Sequence, residues 1–499
     1  MVGEVIGIKN TLRYNYRKVF FVIIKLNCLR KKRKNVIIYN KKEVLKVSIK
    51  VMDIYLENFK SFKKIELNLE NKKNKEAKNL ICIYGENGSG KTNIINSMFF
   101  LRESLQTMSF GKLLQETITK LKDEKNLQKD LINEIIKNSM ATDIDILANN
   151  YHYIDNNEPM ILHYKFLYKG AVCDYNVKIL ENKLISESLF YKINKKYAKV
   201  FFIESDFVYF SPSIFLNEKY NSELQEKIKQ YWGKHTFLSI ILAELTDKNK
   251  KYTEENLDET LLEFIKELND ISVATSRSSG NAFIQSKVIP LENNISGTLD
   301  KNKVNILEKY SQLLNLFYTS MYSDIDKVYY EVTDVDDSLV KYELFLNKYM
   351  NGELKRIPFK VESNGTKKLL FYFSYILNCI DGKTVFIDEM DNGIHDLLFA
   401  SIINALQDTM TGQLVITTHN TTLLEILEPK EIYVIQKDYK ANTNIESINN
   451  YKDRTQKSNN MRIKYLRGDY EGIPHSDFLD IDFLHDKFSE LKNEVINNG

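Results

Sequence analysis

The sequence has few of the residues that build zinc sites, disulfide frameworks or membrane anchors. Its four cysteines are far apart, with none at C-x-x-C spacing, and its seven histidines are scattered. This pattern argues against a structural zinc site and suits a reducing compartment, so we expect a cytoplasmic protein. The most apolar early stretch, residues 19–26, is interrupted by Lys25 and is too short to span a bilayer. A basic run follows that stretch instead of preceding it, which is the wrong order for a signal peptide.

The sequence also has no large excess of positive or of negative charge. The formal net charge is only +3 over 499 residues, so no chain-wide basic field argues for nucleic acid as a partner. No heptad pattern is sustained over several turns, which argues against long coiled-coil arms. The apolar share, 43%, is that of an ordinary globular protein with a large core.

The local patterns predict alternating classes of secondary structure. Period-two alternation on both sides of "NFKSF" predicts a β-hairpin, and further antiparallel strands are predicted around turns near Gly170 and Asn182. Residues 257–268 have the apolar spacing of an amphipathic helix. The stretch "TSRSSGN", residues 275–281, is rich in turn residues and is predicted to be a mobile loop.

The stretch "GENGSGKT", residues 85–92, fits the phosphate-binding pattern G-x-x-x-x-G-K-[ST] and lies between an apolar strand and a helix. Gly88 and Gly90 let the backbone curl so that consecutive N–H groups face the phosphates of ATP. Lys91 is expected to reach the β- and γ-phosphates as the loop's only phosphate-paired cation, and the Thr92 hydroxyl is expected to hold Mg²⁺. The predicted nucleotide-binding residues are Gly85, Asn87, Gly88, Ser89, Gly90, Lys91, Thr92 and Asn93.

A phosphate-binding loop needs a second, acidic element for the metal, and "VFIDE" supplies one. Asp388 and Glu389 come at the end of an apolar strand, which is where parallel sheets bind ligands. We assign Asp388, with Thr92, to Mg²⁺, and Glu389 to the polarisation of the attacking water. His419 follows a second apolar strand, "LVIT", from which it could reach the γ-phosphate. The predicted catalytic residues are therefore Glu389, His419 and Lys91.

The stretch "ESNGTKK" allows two interpretations. A polar cluster, Ser363, Asn364 and Gly365, stands immediately before an apolar run that predicts a helix. Serine and asparagine are ordinary helix caps, so the cluster is explained by capping alone. A helix N-terminus is also an anion site, so the same cluster could contact a phosphate.

The order of these four elements resembles that of ABC-type ATPase heads, specifically the SMC/OLD-like prokaryotic group of AAA-type ATPases. The opening "YLENFKSF" resembles that group's first strand and turn, which flank the nucleotide. The closing "YLRGDYEGIP" is similar to a motif of its stand-alone, abortive-infection members, which lack a Toprim domain. The resemblance implies that Ser363, Asn364 and Gly365 form a signature motif that contacts the γ-phosphate held by a second protomer. It also implies an ATP-dependent homodimer. Gln285 is the candidate for the group's Q-loop glutamine, and Asp480 and Asp482 are interpreted as part of a charged tail.

The expected fold class is α/β: an ABC-type P-loop ATPase head, with a mixed sheet and flanking helices, and an inserted α+β and helical section. One hypothesis is that translation starts at Val47, read from a GTG codon. The expected segments are an N-terminal extension (1–46), the first part of the ATPase core (47–101), the insertion (102–360), the second part of the core (361–475) and a C-terminal tail (476–499).

Three functions are compatible with these patterns. The first is an ATP-hydrolysing switch that dimerises through ATP and serves anti-phage or abortive-infection defence with a separately encoded effector, such as a nuclease. The second is a DNA-repair or DNA-binding ATPase head that uses its lysine-rich surface, so nucleic acid is a possible partner. The third is a regulatory protein that binds ATP without useful turnover, which the intact Lys91, Thr92, Asp388 and Glu389 disfavour. No membrane partner is expected.

Overall fold

A computed structural model gives the fold. It describes residues 48–72, 74–123, 141–153, 157–193, 196–246, 250–277, 280–284, 291, 293–438, 440, 442–451, 461–473 and 480–497. Val47 and Gln285, which the sequence singles out as a start site and a Q-loop candidate, lie outside the described residues.

The chain alternates between blocks of strands and blocks of helices. In chain order the strands are β1 Lys50–Phe59, β2 Phe62–Asn68, β3 Leu80–Tyr84, β4 Met160–Tyr168, β5 Ala171–Leu180, β6 Lys183–Ile193, β7 Lys196–Glu204, β8 Phe207–Phe210, β9 Ser272–Arg277, β10 Gly280–Ile284, β11 Ser296–Asp300, β12 Ile325–Asp334, β13 Leu339–Met350, β14 Glu353–Pro358, β15 Thr384–Ile387, β16 Gln413–Thr417, β17 Ile432–Lys437 and β18 Thr443–Ser447. The α-helices are α1 Lys91–Ser104, α2 Thr107–Asp123, α3 Ile144–Tyr151, α4 Glu218–Tyr231, α5 Phe237–Thr246, α6 Lys250–Asn256, α7 Glu259–Asn269, α8 Val304–Met321, α9 Asn364–Ile380, α10 Asp396–Gln407, α11 Met461–Leu466 and α12 Ile481–Asn497.

The first sheet is antiparallel and has the strand order β2-β1-β4-β5-β6-β7-β8. The predicted hairpin is confirmed as β1 and β2, and the predicted strands around Gly170 and Asn182 are confirmed as β4, β5 and β6. Both turns contain residues with positive φ, Lys169–Gly170 in one and Glu181–Asn182 in the other, as tight hairpin turns require. Residues from both sides of the phosphate-binding loop therefore build one sheet.

The second sheet is mixed and has the order β10-β9-β15-β16-β3-β17-β18. Its five central strands run parallel, and β10 and β18 are antiparallel additions at its edges. Strand β3 precedes the phosphate-binding loop, β15 precedes the two acids and β16 precedes His419. These three strands lie side by side. Their carboxyl ends meet at one edge of the sheet.

The prediction of a mobile loop at residues 275–281 is wrong. Residues 275–277 belong to β9 and residues 280–281 to β10, which pairs with it, and β9 also pairs with β15 inside the second sheet. Thr275 is buried, and its hydroxyl donates a hydrogen bond to the side-chain oxygen of Asn96 in α1 at 2.9 Å. Strand β9 lies within the span that we assigned to the insertion, so the nucleotide-binding sheet receives a strand from it.

The mixed sheet lies between two hydrophobic cores, because successive side chains of a strand point to opposite faces. Along β3, Ile81 and Ile83 face a core shared with the antiparallel sheet and α1. Leu80, Cys82 and Tyr84 face the other core, which includes α8, α9, α10 and a third sheet of β11, β13, β12 and β14. This layered arrangement confirms the expected fold class of a mixed α/β P-loop ATPase with an inserted section.

Two further findings concern the helices. Residues 481–497, expected to be part of a charged tail, form helix α12. In the part of the chain that the structure describes, no helix combines the length and the apolar character needed to cross a bilayer.

Candidate nucleotide-binding site

The phosphate-binding loop, residues 85–90, connects the end of β3 to the start of α1. Gly85, Gly88 and Gly90 all have positive φ angles, of 153°, 73° and 105°. A Cβ atom at Gly90 would lie 2.5 Å from the ring of Phe62, so a larger residue does not fit there. No side chain caps the N-terminus of α1, so its first N–H groups are available to an anion at the loop.

Two buried polar side chains in this loop are suited to a phosphate. The Ser89 hydroxyl is buried, and no described group forms a hydrogen bond with it, which is unusual for a buried polar atom. The Lys91 ammonium donates to the carbonyls of Gly85 and Glu86 at 2.8 and 2.9 Å. Burial lowers the pKa of Lys91, and the nearby carboxylates, Glu389 first, oppose that shift. An arriving phosphate would give both side chains the charged partner that they lack.

The two predicted acids are held by a buried threonine of the neighbouring strand. Asp388 and Glu389 follow the end of β15, and Thr417 is the last residue of β16. The Thr417 hydroxyl donates to Asp388 Oδ1 at 2.6 Å and accepts from the Glu389 backbone N–H at 2.7 Å. Glu389 has φ of 45°, a conformation that only a minority of residues other than glycine adopt. Thr417 therefore sets the direction in which the chain, and both acids with it, leave the strand.

His419 lies two residues beyond Thr417, beside the same acids. Its backbone N–H donates to Asp391 Oδ2 at 3.2 Å. Partial burial and the charge of Lys91 lower the pKa of His419, and Asp391 and Glu389 oppose that shift. Lys91, Glu389 and His419, which the sequence predicts as catalytic residues, therefore lie close enough for the charge of each to affect the others. Asp391 is a third carboxylate near them.

The cluster at residues 363–365 begins helix α9. The Ser363 Oγ accepts the Thr366 N–H at 3.1 Å, so the capping interpretation of the sequence describes what this residue does within one chain. Ser363 and Asn364 are exposed. Gly365 borders the loop that follows Glu389, because a Cβ atom at Gly365 would lie 2.7 Å from the Gly393 carbonyl oxygen. The exposed helix start and the loop after the acids therefore form one continuous surface.

Sequence reasoning missed a second lysine at the phosphate-binding loop. Lys437, the last residue of β17, donates to the Gly88 carbonyl. Lys437 lies at the loop because β17 pairs with β3 in parallel, so both strands end there. No motif marks Lys437, and only the strand order of the sheet could have pointed to it.

The turn formed by residues 465–473, part of the closing stretch "YLRGDYEGIP", supports the start of the loop. The Tyr465 hydroxyl donates to the Gly472 carbonyl at 2.9 Å, and its ring packs edge-on against Tyr84 at 5.5 Å. Burial raises the pKa of Tyr465 to about 12, and a hydrogen bond with the Gly85 backbone opposes that rise. A Cβ atom at Gly472 would lie 2.4 Å from Val434 and 3.8 Å from the Gly85 Cα. The turn therefore packs directly against the first loop glycine.

Comparisons with known proteins bear on this site. A family model described as "AAA domain, putative AbiEii toxin, Type IV TA system" matches residues 262–425, a range that contains the acids and His419. A protein of Helicobacter pylori named "ATP/GTP phosphatase" is 21% identical over 412 residues, which are 79% of this chain and 91% of the relative.

Two solved structures are distantly similar. An SMC head bound to the C-winged helix domain of ScpA is 14% identical with a TM-score of 0.40, over 79% of this chain and 97% of that one. The SMC head domain from Thermotoga maritima is 11% identical with a TM-score of 0.34, over 80% of this chain and 98% of that one.

The family match and the site geometry both indicate ATP hydrolysis. Residues 262–425 match the family model of an AAA domain. The predicted P-loop lies at the same sheet edge as the acids of that domain. The chain is accordingly an ATP-binding protein and an ATPase.

Proposed function

We propose that this ATPase is a molecular switch that dimerises through ATP, with one nucleotide at each of two composite sites. Each site would combine the phosphate-binding loop of one protomer with the Ser363–Gly365 cluster of the other. The observation that carries this proposal is the exposed N-terminus of α9, where Ser363 and Asn364 lie beside the loop after Glu389. A helix start with an exposed hydroxyl is an anion site, and its own chain already provides a different helix start at the loop.

Mg²⁺ would neutralise charge on the transferred phosphoryl group when it is bound with ATP. Mg²⁺ usually keeps several waters and binds through one or two protein ligands together with phosphate oxygens. Thr92 and Asp388 are the residues that would hold it. Glu389 would take or orient the proton of the attacking water, and Ser89 and Lys91 would hold the phosphates.

We further propose that the switch serves anti-phage or abortive-infection defence and acts on a separately encoded effector, such as a nuclease. The support is the resemblance of the motif order and the description of the matching family, which names a toxin of a toxin–antitoxin system. The alternative is a DNA-binding ATPase head. Binding to duplex DNA that weakens steeply with salt would favour that alternative.

The experiment is sedimentation velocity of the full chain with and without ATP and Mg²⁺. Glu389→Gln should form a dimer only with ATP, because it retains nucleotide without hydrolysing it. Adding Ser363→Arg should abolish that dimer while ATP binding to each protomer persists. Ser222→Arg, at an exposed serine of α4, is the matched control and should leave the dimer intact. A dimer that survives Ser363→Arg would restrict Ser363 to its capping role.

A further inference from the structure

The ends of β15 and β16 are joined by hydrogen bonds that cross in both directions. The hydroxyl of Thr417, in β16, contacts Asp388 and the backbone N–H of Glu389, which follow β15. In return Asp391, from the segment after β15, accepts the backbone N–H of His419 with its Oδ2 atom at 3.2 Å. Each strand end therefore holds a predicted catalytic residue of the other.

A tight turn fixes Asp391 relative to the acid that precedes it. The Asn392 N–H donates to the Glu389 carbonyl at 3.0 Å, and the Ile394 N–H donates to the Asp391 carbonyl at 3.0 Å. From helix α9, the Lys368 ammonium donates to the Asn392 carbonyl at 2.8 Å. The turn is thus held from two sides, and the place of the Asp391 carboxylate is tied to that of Glu389.

The other polar groups of these two residues are not used by the fold. Asp391 Oδ1 is buried, and no described group forms a hydrogen bond with it. His419 is exposed, and within the described part of the chain its imidazole ring forms no hydrogen bond. A buried polar atom without a partner is unusual in a native protein and calls for an explanation in function. The contact between the two residues holds the backbone of the histidine and leaves its ring free for a ligand.

From this arrangement we infer that Asp391 is a positioning residue for ATP hydrolysis and that it acts through His419. By holding the histidine backbone beyond the end of β16, it keeps the ring at the γ-phosphate while water attacks. The inference rests on the proposed function for hydrolysis at the acidic edge, and on the predicted catalytic role of His419. It does not depend on the dimer.

The test is a double-mutant cycle on ATP hydrolysis by the full chain, with Asp391→Ala, His419→Ala and the double variant. Asp391→Ala should lower kcat by about tenfold, because a hydrogen bond to a charged group is lost, and should leave the dissociation constant for ATP within about twofold. His419→Ala should lower kcat at least as much. The double variant should match His419→Ala within about twofold, because without the ring there is nothing left to position.

Two further variants separate positioning from folding. Asp391→Asn keeps an oxygen that can accept the N–H of His419 and should retain kcat within about threefold. Asp336→Ala is the matched control, because it also removes a carboxylate that accepts backbone N–H groups, in the turn between β12 and β13. It should leave kcat unchanged.

Four results would overturn the inference. Losses that multiply in the double variant would mean that Asp391 acts on the metal or the water itself. Equal losses in Asp391→Asn and Asp391→Ala would remove the role of the acceptor oxygen. An unchanged kcat in His419→Ala, or a lower melting temperature with unchanged kcat in Asp391→Ala, would remove the catalytic link. Failure of the proposed switch appears instead in the sedimentation of Glu389→Gln, so the two failures are distinguishable.

Discussion

The phosphate-binding loop and the acidic edge beside it face the same nucleotide but are built differently. The loop relies on backbone: three glycines with positive φ, uncapped N–H groups, and the buried hydroxyl of Ser89. The acidic edge relies on side chains, and one hydroxyl, that of Thr417, contacts both acids. In the proposed function, backbone N–H groups would bind the phosphates of ATP throughout the reaction, whereas the acids would act on the water and the metal. The difference suggests that binding and turnover can be impaired separately.

The largest expected effect tests the acidic edge alone. Glu389→Gln keeps the size and a hydrogen bond but cannot accept a proton, so kcat should fall by about two to four decades. The dissociation constant for ATP should stay within about twofold, because the loop is untouched. Steady-state hydrolysis and equilibrium titration of the same preparation measure both quantities.

A matched control for Glu389→Gln is Glu425→Gln, at a half-exposed carboxylate that pairs with Arg462. Its kcat should remain close to that of the natural protein. If Glu389→Gln weakened ATP binding as strongly as it slowed hydrolysis, the separation between loop and acidic edge would be lost.

The second prediction tests the loop. Lys91→Ala should weaken ATP binding by roughly tenfold to a hundredfold, since a hydrogen bond to a charged group contributes about 1.5–3 kcal/mol. Lys437→Ala should weaken it by only about twofold, because Lys437 is exposed and its amine contacts the outer, carbonyl side of the loop. Titration with a fluorescent ATP analogue compares the two. Equal losses would show that the loop depends on total positive charge and not on the position of Lys91.

The motifs could be recognised in the sequence because each depends only on residues that are close together along the chain. A phosphate-binding loop needs glycines and lysine at fixed spacing, and acids at strand ends need only the strand before them. Thr417, Lys437 and Tyr465 could not be predicted in the same way, because their roles arise from which strands are neighbours. Strand β9 was missed for a related reason, since its turn residues resemble those of a loop and its pairing with β15 spans a long stretch of chain.

The third prediction tests whether the acidic edge depends on one hydroxyl. Thr417→Val keeps the shape but leaves the Glu389 N–H and the Asp388 carboxylate without that partner, so kcat should fall by about tenfold. Thr417→Ser keeps the hydroxyl and should retain kcat within about twofold. The Michaelis constant for ATP should change little in either variant. If valine and serine behaved alike, the hydroxyl would have no part in positioning the acids.

The smallest expected effect concerns the support of the loop from the C-terminal turn. Tyr465→Phe removes the hydroxyl that joins Gly472 to the Gly85 backbone but keeps the ring against Tyr84. The first loop glycine then loses a constraint on its position. The Michaelis constant for ATP should rise by about twofold to fivefold, the lower part of the range that a single neutral hydrogen bond of about 0.5–1.5 kcal/mol allows. Because the acidic edge is untouched, kcat should stay the same.

The control for that change is Tyr375→Phe, at a buried tyrosine of α9 whose hydroxyl has no hydrogen-bond partner among the described residues. It removes the same atom from the same chain and should leave the Michaelis constant unchanged. A general loss of packing would lower the melting temperature and kcat together, whereas a displaced loop raises only the Michaelis constant. If Tyr465→Phe lowered kcat and left the Michaelis constant as it was, the turn would support the fold and not the phosphate-binding loop.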